Sequence, residues 1–326
     1  MRIKKILILV IALACLTLLG CKQNKSADIY VTVYPLEYIA TQIVKVDPLD
    51  PQMSEITVDT IYPRGAEVHD YEPTPKQIVS MTESKVIFYV GLGLEPFITN
   101  ALTSTFKNVK CVELSNYVDL VELDGSHSHG AEDTKSGAKE DEHSIYDAHV
   151  WLDPINMIKM TEAMLEELVL IYPDREELFR INASELIKEL KDLNDEFIEA
   201  LSDENILNKT IMVDHDAYAY WTYRYGINRI KLLNDNESNE VGTKEFLEKV
   251  SQAKEAHIKY IISTKNETKS AMFDQYLKEL DASELSLHHL GTITTQELKD
   301  GITYLIIMRE NLETLIKALP KVNEEE

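Results

Sequence analysis

Cysteine is scarce in this chain, with three in 326 residues, at positions 15, 21 and 111. Cys15 lies within an apolar leader and Cys21 directly follows that leader. The folded part therefore keeps only Cys111. A single thiol cannot form an internal disulfide, which excludes the class of small disulfide-stapled domains. The alternating pattern of residues 109–112 predicts a strand in which Cys111 packs as a small apolar residue.

Basic residues are in the minority. The chain has 33 Lys and Arg against 56 Asp and Glu, which gives a formal net charge of −23. This charge argues against nucleic acid and anionic lipid surfaces as partners, and it favours cations near the protein surface. Solubility alone is the alternative explanation for most of these acids.

A hydrophobic run of membrane-spanning length is also missing. The apolar stretch of residues 6–19 follows a basic start and is too short for a span, so it predicts a signal peptide over residues 1–20. Its ending, Leu18-Leu19-Gly20-Cys21, resembles the lipobox of bacterial lipoproteins. That resemblance implies cleavage before Cys21 and acylation of this cysteine, with an uncleaved anchor as the alternative. Residues 21–27 are then a polar tether.

Residues 28–155 alternate strand-like and helix-like patterns, which predicts a first α/β lobe with a mostly parallel sheet. The predicted strands cover residues 29–33, 56–62, 86–90 and 109–114, and the predicted helices lie near residues 36–45, 75–83 and 95–105. Within this lobe, residues 119–147 contain a polar, acidic loop with His127, His129 and His143. These histidines favour weak metal capture, although a disordered loop with incidental histidines has the same composition.

Helices are predicted next, over residues 156–203. Asp153-Pro154 provides an N-cap and a proline at the first helical position, and Pro173 separates this helix from a second one over residues 174–202. A helix of that length could connect two lobes as a stiff element. A second α/β run follows over residues 204–320, with predicted strands at 211–213, 227–232, 260–263 and 284–287 and helices near 216–225, 243–256, 267–280 and 296–318.

Three of the nine histidines stand in marked settings: His69 in PRGAEVHDYEPTP, His149 in DAHVWLDP and His215 in VDHDAYAYWTYRYG. The three prolines around His69 predict a stiff loop after a strand, and the carboxyl ends of strands are where open α/β sheets bind ligands. Each histidine also has carboxylates nearby in sequence that could fix its tautomer. Any one of them alone could be structural, but three together predict a metal site.

These motifs resemble those of the substrate-binding proteins of bacterial zinc and manganese ABC transporters. The resemblance covers nearly the whole mature chain, including the lipobox, the acidic histidine-bearing loop and the terminal LHHLGTITTQE. It implies two α/β lobes joined by a long rigid helix, with the metal in the cleft between them. His69 and His149 would come from the first lobe and His215 from the second.

The resemblance leaves the fourth ligand open, because the region after the last strand carries no acid. His288 is the predicted ligand there, with His289, Glu267 or water as alternatives. Manganese relatives usually place a carboxylate at the third position, so the imidazole of His215 favours zinc.

The expected function is a lipid-anchored, extracytoplasmic receptor that binds Zn²⁺ and delivers it to an ABC permease and its ATPase. The alternatives are a manganese receptor or a metal-binding adhesin of the same fold. A zinc hydrolase is a further alternative, since three histidines and a water also form a catalytic site, but the sequence has no HExxH motif and no evident general base.

Overall fold

The computed structural model describes residues 26–46, 54–68, 71–123, 145–232 and 242–322. The helices in these ranges are α1 (Tyr34–Val44), α2 (Pro75–Thr82), α3 (Pro96–Thr99), α4 (Pro154–Ile171), α5 (Glu176–Leu201), α6 (Ala219–Tyr225), α7 (Thr243–Glu255), α8 (Phe273–Leu280), α9 (Thr295–Lys299) and α10 (Tyr304–Ala318). The strands are β1 (Ile29–Val31), β2 (Val58–Thr60), β3 (Val86–Tyr89), β4 (Lys110–Glu113), β5 (Thr210–Val213), β6 (Asn228–Lys231), β7 (Tyr260–Thr264) and β8 (Ser283–Leu287).

The strands form two four-stranded sheets, ordered β2-β1-β3-β4 and β6-β5-β7-β8, and their pairings are parallel. Two α/β units with a long helix between them in sequence confirm the predicted fold class. The sheets fall within the lobes predicted at residues 28–155 and 204–320. Within the described residues, no helix has both the length and the apolar character needed to cross a bilayer.

Strand residues alternate between two apolar clusters in each lobe, as the two-residue period of a strand requires. Val31 and Phe88 of the first sheet, and Val213 of the second, belong to one large cluster that both lobes share. The intervening residues pack on the outer faces, such as Ile87 in the first lobe and Met212 in the second. The lobes are therefore joined by a common core as well as by the chain.

The linking helix α5 has 26 residues, which corresponds to about 39 Å at 1.5 Å per residue. Its buried face includes Phe179, Leu186, Leu190 and Phe197, and it packs against α1, α4 and α10. The preceding residues Pro173–Arg175 form a 3₁₀ turn, so the α-helix begins slightly later than predicted.

Three predicted helices differ from the observed ones. The helix expected at 95–105 is only α3 followed by turns, because its second half is rich in Thr, Ser and Asn, which favour helices weakly. The helix expected at 267–280 begins at Phe273, which leaves residues 265–272 as a loop after β7. The helix expected at 296–318 is split between α9 and α10, where Gly301 adopts φ 74° and Thr303 caps the second helix.

Candidate metal centre

The predicted site residues within the described ranges follow the carboxyl ends of strands or directly precede a helix. In the second lobe, His215 follows β5, Glu267 follows β7, and His288 and His289 follow β8. In the first lobe, His149 precedes the 3₁₀ turn that leads into α4. Parallel strands end at a common sheet edge, which brings the second-lobe residues together although they are distant in sequence.

His149 is 6% exposed and is fixed by the carboxylate of Asp147. Asp147 Oδ1 accepts hydrogen bonds from the backbone N–H of His149 at 2.8 Å and from its ring Nδ1 at 2.7 Å. With the proton held on Nδ1, the lone pair of a neutral His149 ring is on Nε2. Asp147 itself is held in place because Tyr220 of the second lobe donates its hydroxyl to the Asp147 carbonyl at 2.9 Å.

His215 meets His149 from the opposite lobe. The Nε2 atoms of the two rings are 3.4 Å apart, and the ring planes are perpendicular with centroids 5.3 Å apart. The Nδ1 of His215 lies 3.5 Å from Glu267 Oε2, which favours the proton on Nδ1 and the lone pair on Nε2. The two nitrogen lone pairs thus face a common position between the lobes.

Glu267 also contacts His289. Its Oε1 lies 2.7 Å from His289 Nε2, yet this buried oxygen has no hydrogen bond of regular geometry among the described residues. The His289 ring stacks on that of His215 with centroids 5.7 Å apart, and it lies 6.3 Å from the His149 ring. His289 is therefore the member of the adjacent histidine pair that lies beside the other two rings.

His288, the predicted fourth ligand, has different surroundings. Its backbone N–H donates to Asn311 Oδ1, and Asn311 Nδ2 donates to its carbonyl, which ties it to α10. Its Nδ1 accepts the backbone N–H of Leu290 at 2.9 Å, so a neutral ring carries its proton on Nε2, 3.8 Å from Glu297 Oε1. A metal ligand needs a lone pair at that atom, so these contacts do not favour His288 as a ligand.

Charges in the centre shift the pKa values in opposite directions. Burial lowers the pKa of His149, but the carboxylate of Asp147, with smaller contributions from Asp216 and Glu267, outweighs burial and raises it above 6.5. Burial, followed by the charge of His149, lowers the pKa of His215 to about 4. Burial raises the pKa of Glu267, but the contact with His289 and the nearby rings of His215 and His149 lower it more. The pKa of Glu267 is therefore about 2. Glu267 is therefore an anion at neutral pH.

A cavity of about 340 Å³ opens beside this cluster and is lined by Glu67, Lys265, Glu267, His288 and His289, among others. Glu67 belongs to the segment that carries His69 in sequence, and the side chain of Val68 packs near Gly291. His69 itself lies outside the described residues, as do Cys21 and the loop histidines His127, His129 and His143.

Within the described ranges, no group of three or more His, Cys, Asp and Glu side chains is already close enough to hold a metal ion. The side chains instead form a row of contacts, in which His215 lies beside both His149 and Glu267, and Glu267 lies beside His289. Sequence patterns identified His149 and His215 because each lies in a marked motif. Asp147 stood two residues before His149 as a nearby carboxylate. Glu267 and His289 entered only as alternatives, because Glu267 lies in no distinctive motif and LHHLGTITTQE does not distinguish His289 from the adjacent His288.

The family described as ZnuA, zinc-uptake complex component A, periplasmic, matches residues 29–318 of this chain. Zinc-binding lipoprotein AdcA of Streptococcus pneumoniae is 28% identical over 321 residues, which cover 96% of this chain and 60% of AdcA. High-affinity zinc uptake system protein ZnuA of Bacillus subtilis is 27% identical over 303 residues, which cover 92% of this chain and 90% of that protein.

A solved structure of Zn(II)-bound AdcA from S. pneumoniae superposes with a TM-score of 0.71 at 24% identity, covering 91% of this chain and 58% of AdcA. At that identity the likeness supports the fold. The chain spans 60% of the length of the streptococcal AdcA that it matches, so it corresponds to only part of that relative. The family match covers most of the chain, and the chain belongs to the family of zinc-uptake complex component A.

Proposed function

We propose that this chain is an extracytoplasmic receptor that binds Zn²⁺ with high affinity and delivers it to an ABC permease and its ATPase for import. Zinc is the transported substrate in this proposal. His69, His149 and His215 are the proposed nitrogen ligands, two from the first lobe and one from the second. Family membership and the names of the zinc-binding relatives support the same substrate.

The observation that carries the proposal is the 3.4 Å separation of His149 Nε2 and His215 Nε2. A tetrahedral zinc ion with Zn–N bonds of about 2.0–2.1 Å holds two ligand nitrogens about 3.4 Å apart. Asp147 and Glu267 each face the Nδ1 of one of these rings, which directs both Nε2 lone pairs to the position between the lobes. The spacing, the tautomers and the origin in opposite lobes all suit one zinc ion.

Zinc is preferred to manganese in this proposal because of the donor set. Imidazole nitrogen suits zinc, whereas manganese favours carboxylate and water oxygens. His215 supplies imidazole from the second lobe, where a carboxylate would suit manganese.

Lipid attachment at Cys21 would keep the receptor at the outer face of the cell membrane, close to its permease. Replacing Cys21 with Ser should abolish labelling by a radioactive fatty acid and leave the leader of residues 1–20 uncleaved. Fatty-acid labelling of the Cys21→Ser protein equal to that of the wild type would contradict acylation at this residue.

The acidic loop is proposed to capture zinc weakly through His127, His129 and His143. Deleting residues 124–143 should then remove weak zinc equivalents from a titration while the tight site keeps its affinity. A loss of the tight site on deletion would instead assign the loop to the main centre.

The main test is calorimetric titration of the protein lacking residues 1–21 with zinc and with manganese, on the wild type and on His149→Ala. His257→Asn is the matched control, because His257 lies outside the centre with φ 55°, a backbone conformation that Asn tolerates. One tight zinc site, lost in His149→Ala and kept in His257→Asn, supports the receptor. Tight zinc binding by His149→Ala would overturn the ligand set, and preferred manganese would overturn the substrate.

Delivery to a permease needs a cellular assay. A strain that lacks this chain should grow poorly when zinc is chelated, and the wild-type gene should restore growth whereas His149→Ala should not. Equal rescue by both would contradict a zinc-delivery function. Hydrolysis of an ester or peptide by zinc-loaded protein, dependent on His149, would instead support the hydrolase alternative.

A further inference from the structure

Residues 147–153 carry His149 and belong to the first lobe by their place in the sequence. We call them the His149 segment. Apart from Ala148, these residues are buried, so their main-chain carbonyls need hydrogen-bond partners within the protein. Three of these carbonyls accept hydrogen bonds from side chains of the second lobe.

Helix α6 of the second lobe supplies two of the donors. The hydroxyl of Tyr220 donates to the Asp147 carbonyl at 2.9 Å, and the indole N–H of Trp221 donates to the Leu152 carbonyl at 2.9 Å. Both aromatic side chains are fully buried, so the loss of either bond would leave a buried carbonyl without its donor. Because each bond ends on the main chain, it fixes the path of the segment.

Two further contacts reach the same segment from the second lobe. Tyr304, at the start of α10, donates its hydroxyl to the Trp151 carbonyl at 2.7 Å. Arg224 of α6 contacts the carboxylate of Asp153 at 2.6 Å. Together with the two bonds from α6, these contacts hold the His149 segment from its first residue to its last.

The His149 segment is also bonded to a stretch of the first lobe that the second lobe contacts as well. The backbone N–H of Asp147 donates to the Val121 carbonyl at 2.9 Å. Two residues before Val121, the carboxylate of Asp119 lies 3.4 Å from the guanidinium of Arg224. This bond therefore does not detach the segment from the second lobe.

Another first-lobe segment at the cleft, residues 62–68, is held from its own lobe. The Tyr62 hydroxyl donates to the Leu94 carbonyl at 3.2 Å, and the guanidinium of Arg64 pairs with Glu37 of α1. These contacts tie residues 62–68 to the first sheet and its helices. Two segments of the first lobe that border the cleft are thus anchored on opposite sides.

We propose that the His149 segment moves with the second lobe, and that Tyr220, Trp221 and Tyr304 are the positioning residues that attach it. His149 and His215 then form a preformed pair, and their Nε2 atoms, 3.4 Å apart, stay together when the first sheet and its loops shift. Zinc release therefore displaces the first sheet from this pair. The inference rests on the proposed zinc-receptor function and adds which side of the cleft moves.

Distances between spin labels, measured by pulsed electron paramagnetic resonance, test which parts move together. The protein lacking residues 1–21, with Cys111→Ala, is labelled at cysteines introduced at exposed positions. The segment pair joins Ile145, directly before Tyr146 and the segment, to Leu247 on α7 of the second lobe, and the lobe pair joins Val79 on α2 to Leu247. The distance of the segment pair should be the same with and without zinc, whereas that of the lobe pair should change.

Equal changes in the two distances would show that the segment moves with the first lobe, which would overturn the proposal. Unchanged distances in both pairs would overturn it too, because the first sheet would then not be displaced. Zinc binding that does not depend on His149 would instead reject the receptor function. The attachment of the segment would then still be tested by the variants below, which are measured without metal.

Tyr220→Phe and Tyr304→Phe each remove one hydroxyl that holds the segment. In the metal-free protein, each should broaden the distance distribution of the segment pair. Each should also weaken zinc binding about tenfold, the lower end of the cost of losing a group that orients a metal ligand. Tyr225→Phe is the matched control, because this tyrosine of α6 donates its hydroxyl to Asn194 of α5 at 3.2 Å.

Urea denaturation and circular dichroism show whether each variant is folded and how much stability it loses. Tyr225→Phe also loses a buried hydrogen bond, so it should be destabilised like the other two, yet keep the wild-type distance distribution and zinc affinity. Equal broadening in all three variants would contradict the positioning role. Wild-type distributions in Tyr220→Phe and Tyr304→Phe would contradict it as well.

Discussion

The indole N–H of Trp151 donates a 2.7 Å hydrogen bond to the main-chain carbonyl of His289. Trp151 is fully buried in the first lobe, two residues after His149, and its ring lies 5.3 Å from the His149 ring. His289 follows the last strand of the second lobe. One side chain therefore couples the position of a proposed zinc ligand in one lobe to the loop after β8 in the other.

The first prediction concerns this bond between the lobes. Trp151→Phe removes the indole N–H and leaves the His289 carbonyl without this buried donor, which should lower the free energy of unfolding by about 1–3 kcal/mol. The smaller ring also adds a cavity cost in the same direction. Urea denaturation of the metal-free protein measures the change.

Tyr117→Phe serves as a control for Trp151→Phe, because Tyr117 is an exposed aromatic residue in the first lobe. It should stay within about 0.5 kcal/mol of the wild type. A Trp151→Phe protein as stable as this control would show that the bond contributes nothing measurable.

The second prediction concerns the pH dependence of zinc binding. Burial alone would lower the pKa of His149, but Asp147 and the other carboxylates outweigh it, so protons compete with zinc at this ring from above pH 6.5. Asp147→Asn removes the largest raising charge and should move the decline in zinc affinity to lower pH. Since Asp147 also orients the ring, affinity at about pH 8 should fall about 10–100-fold.

Zinc titrations of Asp147→Asn between about pH 5.5 and about 8 test this shift around the ordinary pKa of histidine. The control is Asp192→Asn, whose carboxylate pairs with Lys188 on the exposed face of α5. A pH profile for Asp147→Asn that coincides with that of the wild type would rule out the proposed effect on the pKa of His149.

The third prediction concerns acid stability. The pKa of His215 is about 4 in the folded protein, lowered first by burial and then by the charge of His149, against 6.5 for an unperturbed histidine. As pH falls, His215 therefore becomes protonated in the unfolded chain at a higher pH than in the folded protein. The metal-free protein should lose stability as pH falls from about 6.5 to about 4. Above this window the contribution of His215 is fully present.

His215→Gln should reduce this loss, and the difference between variant and wild type isolates the contribution of His215 from those of other groups. Urea midpoints at several pH values from about 7.5 to about 4.5 cover the window. An identical dependence on pH in both proteins would show that the pKa of His215 is not depressed by the fold.

The fourth prediction concerns the ion pair between Arg224 of α6 and Asp153, the N-cap of α4. The guanidinium contacts Asp153 at 2.6 Å, and Asp153 is completely buried. Arg224→Met leaves this carboxylate without its partner, which should cost about 3–5 kcal/mol in the free energy of unfolding. Thermal and urea denaturation measure the loss.

Arg180→Met is the matched control, because Arg180 pairs with Glu166 and Glu176 on the surface. Exposed pairs of this kind contribute about 0–1 kcal/mol. Equal effects of the two substitutions would mean that the burial of Asp153 does not matter to the pair.

Several features of the fold could be predicted because their signals are local. Asp153-Pro154 predicts the start of α4, and Asp153 accepts the Ile155 backbone N–H at 2.9 Å as an N-cap should. Gly226 follows the helical pattern of residues 216–225 and adopts φ 74° directly after α6. The helix predicted at 267–280 was wrong over residues 267–272, which form a loop. The composition of this segment resembles that of a surface helix.

The choice between His288 and His289 could not be made from the sequence. Adjacent residues after a strand point in different directions, and the backbone path decides which of them faces the centre. That path depends on Asn311 from α10, which ties down the backbone of His288, and on Gly291, which leaves room for the ring of His289. Both contacts join the loop to neighbours that no pattern in LHHLG identifies.

Apolar periodicity, proline placement and motif spacing are local properties of the chain, and they were enough to predict the two-lobe α/β class, the linking helix and the motifs of His69, His149 and His215. The folded structure was needed to see that His149 and His215 meet across the lobes, that Asp147 fixes one tautomer, and that Glu267 and His289 arrive together from two loops. These relationships depend on how parallel strand ends and a shared core bring distant segments into contact, and local patterns do not encode that geometry.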